Sequence, residues 1–118
     1  MDKYEGRQNR RNKRLRNHAD IARVREYGRK AVGKYCVVQI LEVPGGGIRL
    51  SIVVSRHFST KAVTRNRARR VLREAWRKID KKPADGWVLL RPRKKITNAG
   101  TEEVLSELQE LLRRCESQ

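Results

Sequence analysis

What the sequence has little of excludes several classes of function. No apolar run approaches the roughly 18 residues that a membrane-spanning helix needs. The basic N-terminus is followed by no apolar segment, so no secretory signal is expected and the cytoplasm is the expected compartment. There are two cysteines, Cys36 and Cys115, and neither sits in a Cys-x-x-Cys or Cys/His cluster. Both fall within apolar patterns and read as small buried hydrophobes in a reducing compartment. His18 and His57 are too far apart to form a local metal motif. Aromatic residues make up only 5% of the chain, which argues against extensive stacking of bases on rings. Acidic residues are outnumbered, 13 against 30 basic, for a formal net charge of +17. Self-repulsion at that charge points to a polyanionic partner, nucleic acid first and an anionic membrane surface second.

The 118 residues suffice for one small domain. Residues 1–16, MDKYEGRQNRRNKRLR, hold seven basic and two acidic residues and almost nothing apolar, so a flexible basic arm is expected, with a single domain over 17–118. A first helix is predicted from His18 to Tyr27, with Asn17 as N-cap, Asp20 in the first turn and Gly28 after its end. Lys34–Val43 is rich in β-branched residues and apolar on both parities, as a buried strand would be. Pro44–Gly47 is a turn. Ile48–Ser55 alternates, with Ile48, Leu50, Ile52 and Val54 on one face, and the pair reads as a hairpin. The Gly-Gly-Gly run is not a phosphate loop, because no Gly-Lys-Ser/Thr follows it.

After the loop RHFSTK, in which Ser59 or Thr60 could cap, a long helix is predicted from Ala62 to Ile79. Ala68, Val71, Leu72, Ala75, Trp76 and Ile79 gather on one side. Asp80–Gly86 is a loop, Trp87–Pro92 a short strand and RKKITNAG a basic loop. A last helix begins with Thr101 as N-cap and carries Val104, Leu105, Leu108, Leu111, Leu112 and Cys115 as its apolar stripe. The order α-β-β-α-β-α gives an α+β fold, a single two-layer α/β sandwich.

No catalytic set emerges. The acids are scattered or serve the electrostatics of the last helix, and His57 beside Ser59 has no acid to orient it. The long helix is the anomaly. It places five arginines between Arg65 and Arg73, and eight basic residues against one acid, Glu74, between Lys61 and Lys78. Like charges at i,i+4 cost about 0.2–0.5 kcal/mol per pair, and solubility alone would favour mixed signs. Guanidinium forks match phosphate oxygens in pairs, so a row of them on one face suits RNA.

The stretch KAVTRNRARRVLREAW, Lys61–Trp76, resembles the arginine–asparagine–arginine signature of the bacterial ribonuclease P protein subunit. Arg14–Arg16 followed by Asp20 and Gly28 is similar to that family's N-terminal helix pattern, LSIVVS to its strand before the signature, and VLLRP to its strand after the long helix. The resemblance runs from about Arg14 to Leu112. It implies a left-handed strand–helix–strand crossover, against the usual preference. It implies an accessory role in an endoribonuclease whose RNA subunit, with bound Mg²⁺, cuts precursor tRNA at the mature 5′ end; no metal, and no catalytic residue, is expected on this chain. The implied contacts with the catalytic RNA are Arg65, Asn66, Arg67, Arg69, Arg70 and Arg73, with Lys61 and Arg56 in the neighbouring loop. The implied cleft for the 5′ leader lies between the first helix and the sheet, at Ile21, Arg25, Tyr35, Cys36 and Arg91. Family members often place aromatics there. Here Arg25 is expected to substitute by charge and guanidinium stacking, making leader recognition more electrostatic. The partners are thus the ribonuclease P RNA and precursor tRNA, without a membrane, and the free chain is expected to be a monomer.

A structural RNA-binding protein of ribosomal type would share size, charge and compartment; the Arg65–Asn66–Arg67 signature between two strands discriminates against it. A nucleoid-type DNA-binding protein would need a dimerisation zipper or a minor-groove wedge, and neither is evident. A membrane-surface peptide would not need the strands.

Overall fold

The structure, a computed structural model, describes residues 14–118. Asn17 opens the first helix as predicted: its Oδ1 accepts the N–H groups of Ala19 at 2.8 Å and Asp20 at 3.4 Å. This helix, α1, spans His18–Tyr27. Gly28 ends it in extended conformation, φ −73° and ψ 151°, rather than the left-handed one expected of a terminal glycine. Glycine is needed there for close approach, since a Cβ would lie 2.6 Å from the Val24 carbonyl oxygen and 3.1 Å from that of Ile40.

The chain then forms a short strand that the sequence did not signal, β1 (Arg29–Val32), which turns back into β2 (Cys36–Leu41) as an antiparallel hairpin. The Pro44–Gly47 turn is present, with Gly45 and Gly47 at φ 85° and 72° and their N–H groups donating to the Asp85 carboxylate at 3.1 and 2.8 Å. It leads to β3 (Ile48–Ile52), but β2 and β3 do not pair as the expected hairpin. After α2 (Ala62–Arg77), strand β4 (Gly86–Pro92) inserts between them, antiparallel to β2 and parallel to β3, so the sheet order is β1-β2-β4-β3. The reason is burial. Val88, Leu89 and Leu90 are all fully buried, and a strand apolar on both faces belongs in the middle of a sheet.

The predicted basic loop after β4 is a short 3-10 helix, Lys94–Asn98, anchored by the fully buried Ile96. The last helix, α3 (Thr101–Ser117), is capped one residue earlier than predicted: Gly100 is the N-cap, and the Glu103 carboxylate accepts its N–H at 2.8 Å. At α2 the N-cap is Lys61, with no side-chain cap; Ser59 Oγ instead accepts the Lys61 N–H at 3.1 Å.

Strand alternation divides the core. Ala31, Cys36, Val38, Val88 and Leu90 point to one face, where α2 and α3 lay down Ala68, Leu72, Trp76, Leu108 and Leu111. Leu89 points to the other face, under Val24 of α1 and Leu15, with Ile21, Leu41, Val53 and Trp87 around them. Arg14 and Leu15, expected to lie in the basic arm, belong instead to the fold. Leu15 is 3% exposed, its N–H donates to the Leu50 carbonyl at 2.8 Å, and Arg14 bridges Leu50 in parallel on the open edge of β3. The rest of the expected arm, 1–13, lies outside the described residues.

Candidate nucleic-acid interface

The stripe of α2 that plugs into the core fixes where each arginine goes. Arg65, Arg69 and Arg73, spaced by four, share the flank nearer β3. Arg69 and Arg73 line a groove there with Arg14, Leu50, Ser51 and Ile52. Arg69 Nη1 donates to Asn66 Oδ1 at 3.0 Å, and Arg65 Nη1 to the Ser59 carbonyl at 3.0 Å, which ties the helix start to the loop carrying the exposed Arg56 and Lys61. Arg70 is exposed on the outer surface.

Arg67 departs from the expected set. It lies on the opposite flank, half-buried, with Nη2 donating to the Ala99 carbonyl at 3.0 Å and Nη1 to that of Ile96 at 3.4 Å. These are carbonyls at the end of the 3-10 helix, so the guanidinium serves the fold first. The acids that α2 and α3 carry nearby are taken by other bases. Glu74 pairs with Arg77 at 2.9 Å and Glu102 with Lys78 at 3.5 Å. On α3, Arg113 and Arg114 pair with Glu110, and Arg113 holds that carboxyl below the usual range. Among the described residues, no acid pairs with Arg65, Arg67, Arg69, Arg70 or Arg73.

The residues expected to hold a leader strand do not all come together. Ile21, Arg25 and Arg91 do, on the α1 face of the sheet. Tyr35 and Cys36 do not. Tyr35 packs against the core on the α2/α3 side, and Cys36 is fully buried there. Its thiol is held protonated by burial, then by the charge of Glu107, whose Oε2 lies 3.7 Å from Sγ. The cause of the error is parity. A strand shows alternate residues to opposite faces, and it is Val37 and Gln39 that share the α1 side with Arg91. Val37 is the register partner of Arg91.

Gln39 was overlooked, being a single polar residue in an apolar strand. Its Oε1 accepts Arg91 Nη2 at 3.3 Å, while its Nε2 donates to the carbonyls of Arg25 at 3.1 Å and Val24 at 3.5 Å. Arg91 Nε is buried without a partner. Burial, and then the positive charge of Arg25, lower the pKa of Arg91. A second basic groove was also missed; it gathers Lys34, His57, Arg93, Lys94, Lys95 and Arg114. The one acid lining it, Glu107, is occupied by the backbone N–H groups of Lys34, Tyr35 and Cys36 at 2.6, 2.8 and 3.0 Å. Among the described residues, no group of three or more histidine, cysteine or acidic side chains is placed to hold a metal ion, and no helix is long and apolar enough to cross a membrane.

Comparison with known proteins agrees with this geometry. The family model described as Ribonuclease P matches residues 10–116. The ribonuclease P protein component of Clostridioides difficile is 32% identical over 90% of this chain and 94% of its own length. That of Pelotomaculum thermopropionicum is 33% identical over 86% and 91%. Among solved structures, the RNase P protein from Thermotoga maritima superimposes with a TM-score of 0.74 at 31% identity, covering 86% of this chain and 96% of that one. With an extended match along most of its length, in sequence and in backbone, the chain belongs to the ribonuclease P protein family.

Proposed function

We propose that this chain is the protein subunit of a ribonuclease P holoenzyme, binding the catalytic RNA and the 5′ leader of precursor tRNA to assist 5′-end maturation. The observation that carries the reading is the flank of α2 on which Arg65, Asn66, Arg69 and Arg73 stand without any acidic partner among the described residues. Each guanidinium there can present a fork to a phosphate, and Arg14, Arg56, Lys61 and Arg70 extend the positive surface around it. The leader is assigned to the α1 face of the sheet, across Ile21, Arg25 and Arg91. The chain's own work is binding and orientation: it lowers the electrostatic cost of bringing two polyanions together and fixes the substrate strand relative to the RNA subunit. Hydrolysis of the phosphodiester belongs to the RNA subunit, as does Mg²⁺, shared there with the substrate.

The experiment is reconstitution. The chain is mixed with bacterial ribonuclease P RNA at low Mg²⁺, where protein cations have the most charge left to neutralise, and assayed on precursor tRNA. Stimulated cleavage is expected, and no stimulation with RNAs of several structural types overturns the assignment. Affinity for leader-bearing substrate should fall with salt more steeply than for leaderless tRNA, by about 0.7 log units per log unit of salt for each leader phosphate neutralised.

A further inference from the structure

Gln39 is 4% exposed and is the single polar side chain in the buried core of the described residues. Its strand neighbours Val37, Val38, Ile40 and Leu41 are apolar, and a leucine would suit the fold at this place between Val24 and Leu89. A buried amide is costly unless its donors and acceptor are all used. Here they are. The amide N–H groups reach the Arg25 carbonyl at 3.1 Å and, at 3.5 Å, the Val24 carbonyl that also accepts the Gly28 N–H, both in the last turn of α1, where carbonyls carry partial negative charge. The amide oxygen takes Arg91 Nη2. The residue thus ties the C-terminal turn of α1 to a guanidinium on the central strand. One amide therefore spans from the Arg25 backbone to the Arg91 guanidinium, which makes the two arginines neighbours on this face, and among the described residues neither has an acidic partner. Two neighbouring cations held in place without an acid are arranged for an anion from outside. With both ends of its amide used within the chain, Gln39 itself does not read a base edge.

We propose that Gln39 is a positioning residue: it holds the Arg91 guanidinium beside Arg25 so that the two arginines together take one phosphodiester of a single-stranded RNA crossing the α1 face of the sheet. This rests on the function proposed above, in which that strand is the 5′ leader.

The test uses the holoenzyme reconstituted with bacterial ribonuclease P RNA and compares dissociation constants for leader-bearing and leaderless tRNA; their ratio is the leader contribution. R91A is expected to lower that contribution about fivefold at 0.1 M salt and to flatten its salt slope by about 0.7, the signature of one lost single-strand phosphate. Q39L is expected to lower it at least twofold and to flatten the same slope, with affinity for the catalytic RNA unchanged. The double variant is expected to lose no more than R91A alone, because Gln39 acts through Arg91. Should Q39L fail to fold, Q39M, close to glutamine in shape, takes its place. Effects that multiply in the double variant, or a Gln39 variant with full leader contribution and slope, overturn the inference. The same loss is expected with a uridine leader as with a mixed one; a loss confined to one leader base overturns the phosphate assignment. A wild-type ratio of one would instead remove the leader reading itself, whatever the variants do.

Discussion

Removing Arg69 and Arg73 together separates RNA binding from folding more cleanly than any other change to α2. Both side chains point into the groove beside β3. Arg69 has only the Asn66 amide as a partner, and Arg73 has none among the described residues. The folded state therefore loses almost nothing in R69A/R73A. Alanine is also the best helix former, and the change relieves an i,i+4 repulsion. If each fork neutralises one phosphate, the log–log salt slope of catalytic-RNA affinity flattens by about 1.4–1.8, and affinity at 0.1 M salt falls about 25- to 60-fold. Arg67 provides the contrast. Its guanidinium holds the carbonyls of Ile96 and Ala99, so R67A forfeits charge-assisted bonds at a half-exposed site, worth about 1 kcal/mol. That should lower Tm by about 4 °C. Filter binding across a salt series and a thermal melt of each variant decide the matter. Equal loss of Tm in both variants, or an unchanged salt slope in R69A/R73A, would refute the division of α2 into an RNA flank and a structural flank.

Other expectations follow from contacts within the fold. E107A should destabilise the protein by about 2 kcal/mol in urea denaturation, because three backbone N–H groups at the β1–β2 turn lose their common carboxylate, and E107Q should recover part of this. G28A should cost about 1–3 kcal/mol, since its methyl group would meet the Val24 and Ile40 carbonyls; an unchanged melting curve would mean that α1 leaves the sheet by another path. The thiol of Cys36 is raised in the folded state, by burial and then by Glu107, above its ordinary value of 9.0. The unfolded chain therefore releases this proton first, and stability should decline as pH rises past about 9. In C36A that part of the alkaline decline should be missing. In the native protein Cys36 should alkylate far more slowly than in the protein unfolded in denaturant.

The elements that repeat along the chain were legible in it. The stripe Ala68–Val71–Leu72–Ala75–Trp76 and its counterpart on α3 have the helical period, and those side chains are buried. Asn17 capped where its chemistry required. What escaped was pairing between distant segments. Nothing local to β2 and β3 says that β4 will separate them, and a four-residue strand such as β1 carries too few residues to show a period. The same limit moved Tyr35 and Cys36 to the wrong face: in a strand apolar on both parities, the pattern does not say which parity meets α1. The arginine helix was read correctly as half core and half charge, yet Arg67 and Arg69 differ only through what lies beside each. The carbonyls of the 3-10 helix meet one and the open edge of β3 the other, and both neighbours come from remote sequence.

The central place of β4 orders the assembly of the molecule. The strands on either side of it, β2 and β3, are made before α2, whereas β4 follows it. A chain growing from its N-terminus therefore emerges with these two strands facing a gap. Leu89, the floor on which α1 rests, arrives with the strand that fills that gap. The sheet closes late and over long loops, a topology that folds slowly. During that interval β2 and β3 each expose an unpaired edge.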